Sequence, residues 1–567
     1  MGTRTFPIIV ALLIGVTGCT GAQTADRRSF DLVIAGGRVV DGTGAPWFRA
    51  DVGIIGDRIE RIGDLRGAPA RQRIDAANLV VSPGFIDMLG QSEFNLLADN
   101  RAASKILQGV TTEITGEGSA IAPINDRIIA EDLSGPASHY HVTIDWRSLS
   151  DYFKRLEEHT HPAINLGTFV GAGGIRQYVL SKDERAPTPP EMAEMKRLVA
   201  QAMQQGALGL SSSLQYVPDR FATTDELVEL ASVAAQYGGI YITHQRSESG
   251  KIFESLDEVF AIAERARIPA EIFHLKTAYR ANWGKMAEIL ARLRAARARG
   301  LDVTANQYPY VRASNGLDAC LPLWVREGGK DKMIARLNDP DQRQRAKAEM
   351  VDPNAPGWEN QWYGSGGGDG VLLASVLRAD LKKYEGKTLT EIGRLMGKDP
   401  RDAAIDLLLA DHGESSVVIS IMTEDDVRLA LKDPQVAVGT DSPAMAEDGP
   451  LSDTKSHPRG WGSFPRILGK YVREERLLTL EDAIRKMTSR PAGRVGLMDR
   501  GILRPGMMAD VTVFDPATIH DVATFDDPNH YSVGVKWVLV NGQAVVADGK
   551  VTSARPGRAL RGPGYRK

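Results

Sequence analysis

Between residues 163 and 300 the sequence alternates short apolar runs with amphipathic segments of helical period. The apolar runs are 163–170, 239–244 and 270–274, and the amphipathic segments are 190–204, 224–236 and 283–299. Strands that alternate with helices form a parallel sheet, because each helix carries the chain back to the start of the next strand. Eight such units close into a TIM-like (β/α)8 barrel, whose functional side chains lie at the carboxyl ends of the strands. The predicted fold class is therefore α/β.

The two ends of the chain have a different texture. Residues 30–80 alternate apolar and polar positions in short runs that glycine-containing turns separate, which is typical of a small antiparallel sheet. The same texture returns at 509–514 and 535–540. We therefore expect a small discontinuous β-sandwich domain built from both chain ends. The predicted boundaries are 28–81 plus 497–556 for this domain and 82–496 for the barrel.

One stretch interrupts the strand–helix rhythm. Residues 320–400 contain the glycine-rich segment 364–370 and several charged runs. Long excursions of this kind near an active face are typical of lids. We interpret the stretch as a lid-like insertion over the mouth of the barrel. The alternative is a solvated excursion without a functional role.

The first 24 residues have the pattern of a signal peptide rather than of a folded segment. Arg4 supplies a positive start, residues 8–16 form an apolar run too short to span a bilayer, and small residues precede Cys19. This arrangement resembles a bacterial lipobox, so we expect cleavage, lipidation at Cys19 and a periplasmic, lipid-anchored product. The alternative is plain cleavage near Ala22, which gives a soluble periplasmic chain.

Composition excludes two classes of partner. The 567 residues carry a net charge of −3, which offers no basic footprint for nucleic acid or for an anionic membrane surface. After residue 24 no apolar run approaches the ~18 residues of a spanning helix. We expect a small-molecule partner, no nucleic acid, and membrane contact only through the N-terminal lipid.

Three residues at predicted strand ends can carry chemistry. His244 and His274 end two successive apolar runs, and imidazole is the commonest protein ligand for Zn²⁺. Neighbouring parallel strands aim their end residues at the same place, so a metal site is one interpretation and a pair of structural histidines is the other. Asp441 follows the apolar run 436–440 and can serve as a ligand, a general base or a helix N-cap.

Several segments together resemble the D-aminoacylase (N-acyl-D-amino-acid deacylase) family of the amidohydrolase superfamily. The resemblance extends over about residues 30–550. The segments are Gly109-Val110-Thr111-Thr112, Ser211-Ser212-Ser213-Leu214-Gln215-Tyr216-Val217-Pro218, 238–244, Gln307-Tyr308-Pro309-Tyr310, Val438-Gly439-Thr440-Asp441, His457-Pro458-Arg459-Gly460, 462–466 and 501–510.

The resemblance implies a role for each matching position. His244 and His274 would hold the tightly bound metal, and Asp441 would take a proton from the attacking water and pass it to the leaving amine. The substrate would be held by a group of residues that grip its carboxylate or line the rim: Lys276, Tyr216, Tyr308, Ser314 and His457. A buried lysine needs an anion, so a substrate with a carboxylate fits Lys276.

The chain departs from the family pattern at two places. Asp87 is followed by Leu89 and Gln91 where the family has a His-x-His pair, so the weaker of two metal positions should be empty. Gly118 stands where the family has a cysteine ligand, with Glu117 beside it. Carboxylate oxygen is an acceptable ligand for Zn²⁺, so we expect Glu117 to complete a three-ligand site with one Zn²⁺ per chain.

The expected function is a metal-dependent hydrolase that cleaves the amide bond of N-acyl amino acids, of D configuration if the resemblance extends to stereochemistry, or of small dipeptides. A metal-bound hydroxide would attack the carbonyl. Two alternatives stay open. The missing His-x-His pair permits a catalytically silent periplasmic binding protein on the same barrel, and the fold alone permits a different cyclic-amide or ester hydrolase of the superfamily.

Overall fold

A computed structural model describes Gly2 and residues 29–355, 358–452 and 455–566. The expected lipobox at Cys19, and all of the expected signal peptide except Gly2, lie outside the described residues. Within the described residues, no helix combines the length and the apolar character needed to cross a membrane.

Both chain ends contribute to one continuous sheet of nine strands. The strands are Phe30–Val39, Phe48–Ile55, Arg58–Gly63, Ala70–Asp75, Val80–Pro83, Val511–Phe514, Val535–Val540, Gln543–Ala547 and Lys550–Val551. The two halves join where Val81 pairs with Val513 in antiparallel register. Alternate residues such as Leu32, Ile34 and Val511 are buried in a shared apolar cluster, as the period-2 pattern requires. The expected domain built from both ends is confirmed.

The central part of the chain is a barrel of eight parallel strands. They are Phe85–Asp87, Val110–Thr115, Asn165–Thr168 continued by Val170–Gly171, Gly209–Ser213, Ile240–His244, Ala270–Ile272, Val303–Gln307 and Val436–Val438. The first and last strands meet where the backbone N–H of Asp441 donates to the carbonyl of Leu89 at 2.7 Å. This contact closes the ring, so the predicted (β/α)8 barrel is confirmed.

Helices surround the barrel. The main ones are Leu149–Arg155, Ala172–Leu180, Pro189–Gln205, Thr224–Gln236, Ile252–Ala266, Met286–Ala298, Glu424–Lys432, Arg459–Arg466, Leu480–Met487 and Ser489–Arg494. Shorter helical segments are Asn95–Ala98, Ala103–Ile106, Asp126–Ile128 and Ser134–His139, and π-helical turns are Ile129–Leu133, Leu156–Thr160 and Ile467–Glu474. Pro189–Gln205 shows why these form: Thr188 and Glu191 make a capping box, and Gly206 ends the helix at a φ of 112°.

The excursion between the seventh and eighth barrel strands is a small folded unit. Its three antiparallel strands are Arg312–Gly316, Val371–Ser375 and Ser416–Ser420, and its helices are Leu323–Arg326, Lys330–Asn338, Pro340–Met350, Gln361–Ser365, Leu389–Met396 and Pro400–Ala410. A separate apolar cluster that includes Leu337, Trp362 and Ile405 holds it together. The unit therefore begins before residue 320 and ends after residue 400, because the strands that frame it, Arg312–Gly316 and Ser416–Ser420, pair with each other.

Candidate metal centre and active site

Three predicted ligands converge at the carboxyl end of the barrel. Glu117 lies two residues after the strand Val110–Thr115, His244 ends its strand, and His274 lies two residues after Ala270–Ile272. Oε1 of Glu117 is 2.9 Å from Nδ1 of His244 and 3.0 Å from Nε2 of His274. The two ring nitrogens are themselves 2.9 Å apart. The three atoms form a nearly equilateral triangle that faces one point.

The donor set fits a zinc ion. Zn²⁺ binds imidazole nitrogen and carboxylate oxygen at about 2.0–2.2 Å in a tetrahedron, which separates neighbouring ligand atoms by roughly 3.3 Å. The observed separations are close to this spacing, and the group of Glu117, His244 and His274 satisfies the geometric requirement for a shared cation. The two ring nitrogens lie 2.9 Å apart, and two N–H groups cannot satisfy each other, so a cation that accepts a lone pair from both nitrogens and from the carboxylate fits the arrangement.

A carboxylate that the sequence did not single out lies behind the histidines. Oε1 of Glu248 is 3.1 Å from Nδ1 of His274, and Oε2 is 3.8 Å from Nε2 of His244, a buried atom without a hydrogen-bond partner among the described residues. Metal-binding histidines commonly direct their second nitrogen at a carboxylate, which fixes the ring and its tautomer. Glu248 is therefore placed to orient the ring of His274.

Lys276 is paired with the protein's own carboxylate. Its Nζ donates to both oxygens of Glu248 at 2.9 and 3.0 Å and lies 2.8 Å from Nδ1 of His274. Burial lowers the pKa of Lys276, but the charges of Glu248, Tyr308 and Asp441 together with the hydrogen bond to Glu248 outweigh burial and raise it. Glu248 therefore supplies the anion that the buried ammonium needs. The expected contact of Lys276 with a substrate carboxylate stays a prediction.

Asp441 stands next to the three ligands and is held by two neighbours. Nε2 of Gln91 donates to Oδ1 of Asp441 at 2.9 Å and to Oε2 of Glu117 at 3.0 Å. Oδ2 of Asp441 forms an ion pair with Nη1 of Arg459 at 2.7 Å. The Gln91 amide therefore ties the predicted general base to the predicted ligand, and Leu89 is buried in the apolar interior of the barrel.

Two of the site residues adopt left-handed backbone conformations. Asp441 has a φ of 51° and His274 a φ of 34°. This region is unfavourable for residues with a Cβ, and such strain concentrates where a fold must aim a functional side chain. The backbone N–H of His274 donates to the Asn306 side chain at 2.8 Å, which holds the ligand strand in place. Local sequence preference would not choose either conformation.

The backbone explains why the ligand is Glu117 rather than residue 118. Gly118 has a φ of +69°, and a Cβ built there would lie 2.3 Å from the Cβ of Ser213. Position 118 therefore has no room for a ligand side chain in this chain, whereas Glu117 reaches the histidines. Glu113 turns elsewhere: it accepts from Ser92 at 2.7 Å and lies 3.5 Å from the ammonium of Lys105.

Two of the predicted substrate residues, Tyr216 and Ser314, line the same cavity, and Tyr308 is buried next to the lining residue Arg459. Tyr216 is 42% exposed at the rim, where its ring packs edge-on against His244. Ser314, on the first strand of the insertion, also lines the cavity. Tyr308 is buried, its hydroxyl has no hydrogen-bond partner among the described residues, and its ring lies 4.7 Å from the guanidinium of Arg459.

His457 supports the site rather than offering a free nitrogen. Its Nε2–H donates to the carbonyl of Arg312 at 2.9 Å, and its Nδ1 accepts from the backbone N–H of Arg459 at 3.0 Å. Burial lowers the pKa of His457, and Arg459 lowers it further, so the ring is neutral. The predicted substrate contact is therefore revised, because both ring nitrogens are already engaged. Like Glu248, Arg459 was not predicted from the sequence as a site residue, although it lies in the segment His457-Pro458-Arg459-Gly460.

These groups enclose a cavity of about 390 Å³. Its walls come from the barrel loops and from the insertion. The lining includes Gln91, Glu117, Gln215, Tyr216, His244, Glu248, His274, Lys276, Ser314, Glu359, Asp441, His457 and Arg459. A cavity of this size accepts a ligand of small-molecule dimensions.

Almost the whole chain is similar to two enzymes of Alcaligenes xylosoxydans xylosoxydans. It is 34% identical over 543 residues to a D-aminoacylase, with 94% of this chain and 98% of the relative covered. The chain belongs to the D-aminoacylase family of amidohydrolases. It is also 36% identical over 539 residues to an N-acyl-D-glutamate deacylase, with 94% and 97% covered. Residues 419–546 match the amidohydrolase family by themselves.

Solved structures of family members share the fold. One is an N-acyl-D-glutamate deacylase from Bordetella bronchiseptica, complexed with zinc and a phosphonate inhibitor that mimics the tetrahedral intermediate. Its TM-score is 0.77 at 32% identity, with 94% of this chain and 100% of that chain covered. A D-aminoacylase structure, described as having a binuclear metal centre with one-metal activation and second-metal attenuation, has a TM-score of 0.75 at 33% identity, with 94% and 100% covered. The resemblance stated from the sequence is confirmed.

Proposed function

We propose that this chain is a zinc-dependent deacylase that hydrolyses the amide bond of N-acyl amino acids of D configuration. The observation that carries the proposal is the convergence of Glu117, His244 and His274 on one point, with Asp441 tied beside them through Gln91. Two histidines and a glutamate form the ligand set of other zinc hydrolases, which keep an open position for water or substrate. The relatives named D-aminoacylase and N-acyl-D-glutamate deacylase support the choice of substrate class.

The residues around the ligands have separate roles in proton transfer and in orienting the reacting groups. Bound zinc supplies Lewis acidity, which lowers the pKa of water and polarises a carbonyl. Asp441 accepts a proton from the attacking water and returns it to the leaving amine. Gln91 and Arg459 each hold one oxygen of Asp441, so the carboxylate is already oriented before substrate binds. Glu248 faces Nδ1 of His274, which favours the tautomer that leaves Nε2 of this ring free for the metal.

The carboxylate of the substrate fits next to Arg459. Nε of Arg459 is buried and has no hydrogen-bond partner among the described residues, and the Tyr308 hydroxyl is in the same condition. Buried donors without partners are unfavourable, so an anion that accepts from both stabilises them. Lys276, which donates to Glu248 as Arg459 pairs with Asp441, stays a predicted second contact for the same carboxylate.

The number of metals in this proposal is one per chain. The second side of the cavity floor offers Leu89, which is apolar, and Gln91, whose amide N–H bonds already go to Glu117 and Asp441. Neither group competes with imidazole for Zn²⁺.

The proposed location is the periplasm, with a lipid anchor at Cys19. The positive start at Arg4, the short apolar run 8–16 and the small residues before Cys19 support it. Membrane fractionation of the full chain and of Cys19→Ser tests the anchor. Lipidation predicts that the wild-type chain sediments with membranes and that the variant does not, whereas an unchanged soluble pool would contradict it.

Zinc content and turnover together test the function. We expect about one zinc per chain by elemental analysis and hydrolysis of N-acetyl-D-methionine but not of its L isomer. Glu117→Ala should lose both, whereas the exposed control Glu184→Ala should keep both. If the chain holds no zinc and shows no turnover but still binds the substrate, it is a binding protein. Turnover restricted to cyclic amides or esters would place it elsewhere in the superfamily.

A further inference from the structure

Glu359 is a carboxylate that the proposed chemistry does not use. It lies in the insertion, just before the helix Gln361–Ser365, and it lines the cavity. Gln215 donates to it through Nε2 at 2.9 Å, and the hydroxyl of Ser247 donates to its other oxygen. Gln215 follows the fourth barrel strand and Ser247 follows the fifth. Glu359 is therefore held by two barrel loops and is not a mobile surface group.

No cation of the described chain balances Glu359. The lysine and the arginine that line the cavity are both engaged, Lys276 with Glu248 and Arg459 with Asp441. Burial raises the pKa of Glu359, although Ser247 and Ser249 donate hydrogen bonds to it. A partly buried carboxylate without a countercharge is unfavourable unless a ligand provides one.

The geometry points to Glu359 as the residue that selects substrates with a cationic side chain, an amine or a guanidinium, on the side of the cavity that the insertion forms. This inference rests on the proposed deacylase function. Gln361 and Asn315 also line the cavity, and although each amide oxygen already accepts one hydrogen bond, its second lone pair can accept from the remaining N–H groups of such a side chain.

The charges of the cavity support the same choice. Glu117, Glu248, Glu359 and Asp441 oppose Lys276, Arg459 and a divalent metal. These charges balance before substrate enters, so the carboxylate of the substrate leaves one excess negative charge. A cationic side chain restores the balance.

An acidic side chain meets the opposite situation. A second carboxylate would add to the excess charge and face Glu359, and the described lining residues include no lysine or arginine that is free of a carboxylate. This chain is therefore expected to discriminate against the acidic substrates for which its relative, the N-acyl-D-glutamate deacylase, is named.

The test measures kcat/KM of the zinc-loaded enzyme for N-acetyl-D-lysine, N-acetyl-D-norleucine and N-acetyl-D-glutamate. Norleucine matches the lysine stem without its charge. We expect lysine to exceed norleucine by roughly 10- to 100-fold, the range of a hydrogen bond between charged groups, and glutamate to be the poorest. Glu359→Gln, which keeps the shape and the acceptor for Gln215, should reduce the ratio of lysine to norleucine toward one.

Two further variants make the result decisive. Glu359→Lys should invert the preference, so that glutamate exceeds lysine. The control Asp380→Asn, an exposed carboxylate of the same insertion, should leave the wild-type ratio unchanged. Turnover of norleucine without a preference for lysine, or with a preference for glutamate, would overturn this inference and leave the deacylase function standing. Absence of turnover for all three substrates with zinc bound would instead overturn the deacylase function.

Discussion

The two sides of the cavity floor carry different functional groups, imidazoles on one side and an amide on the other. On one side His244 and His274 join Glu117 in a triangle of ligand atoms backed by Glu248. On the other side, at the end of the first strand, Gln91 donates two hydrogen bonds to carboxylates. The family resemblance implies imidazoles on both sides, so only one side keeps the capacity to bind a metal tightly.

This difference shows that an amide can keep the shape of a site while removing its affinity for a metal. A glutamine N–H donor orients Asp441 and Glu117, but the same nitrogen has no lone pair for zinc. The D-aminoacylase described with one-metal activation and second-metal attenuation offers a context in which a single site is sufficient. The following experiments compare the two sides directly.

The largest effect is expected from His274→Ala on the imidazole side. Loss of a ligand should remove zinc and lower kcat/KM by more than about 100-fold, because a partner outside the ligand set already accounts for about 10- to 100-fold. Elemental analysis and steady-state kinetics measure both quantities. The exposed His159→Ala is the matched control and should keep its metal. Full zinc content in His274→Ala would mean that the ligand set is wrong.

A smaller effect is expected from Glu248→Gln, which changes the residue behind the imidazoles. The amide cannot reproduce the charge that faces His274 and Lys276. Zinc affinity should fall by about 10- to 100-fold, as measured by competition with a chromophoric chelator. An unchanged affinity would show that the histidines need no orienting carboxylate here.

On the amide side, Gln91→Ala should separate catalysis from metal binding. Zinc content should remain at about one per chain, while kcat falls by about 10-fold or more because Asp441 loses an orienting donor. Elemental analysis and kcat are measured on the same preparation. Loss of zinc with an unchanged kcat for the metal-loaded fraction would reverse the roles given to the two sides.

The smallest effect is the number of protons that His274 releases when zinc binds. Burial and Lys276 lower the pKa of His274, but nearby carboxylates outweigh them and raise it to about 9 in the metal-free chain. The imidazole must lose that proton to bind zinc, so affinity should rise with pH up to about 9 and then level off. Calorimetry in buffers of different ionisation enthalpy should show one proton released from this ring near pH 7. A zinc affinity that does not change with pH would contradict the raised pKa of His274.

The parts of the site that the sequence predicts are those fixed by topology. Parallel strands bring their carboxyl ends together, so the sequence alone predicts that His244, His274 and Asp441 lie close to one another. Glu117 was predicted from the family resemblance, beside the position of the family's cysteine, and the clash of a Cβ at Gly118 explains the shift by one residue.

The rest depends on contacts between segments far apart in the chain. Glu248 lies four residues after His244 in a loop, and no local pattern shows that it turns back to Lys276. Arg459 and Gln91 likewise have a role in the site only because they contact Asp441, which lies far from Gln91 in the sequence. The insertion was predicted because the alternation of strands and helices stops there. Its framing strands, Arg312–Gly316 and Ser416–Ser420, pair with each other across about a hundred residues, and a pairing over that distance leaves no periodic pattern in the sequence.

The nine-stranded sheet imposes an order of assembly. Val81 can meet Val513 only after the entire barrel has been synthesised between them, and closing a loop of that length is entropically unfavourable unless the barrel has already compacted it. Until then the strand Val80–Pro83 presents an open edge that invites pairing with other chains. Folding of the barrel is therefore what protects the beginning of the chain, and a chain interrupted within the barrel would expose that edge and aggregate.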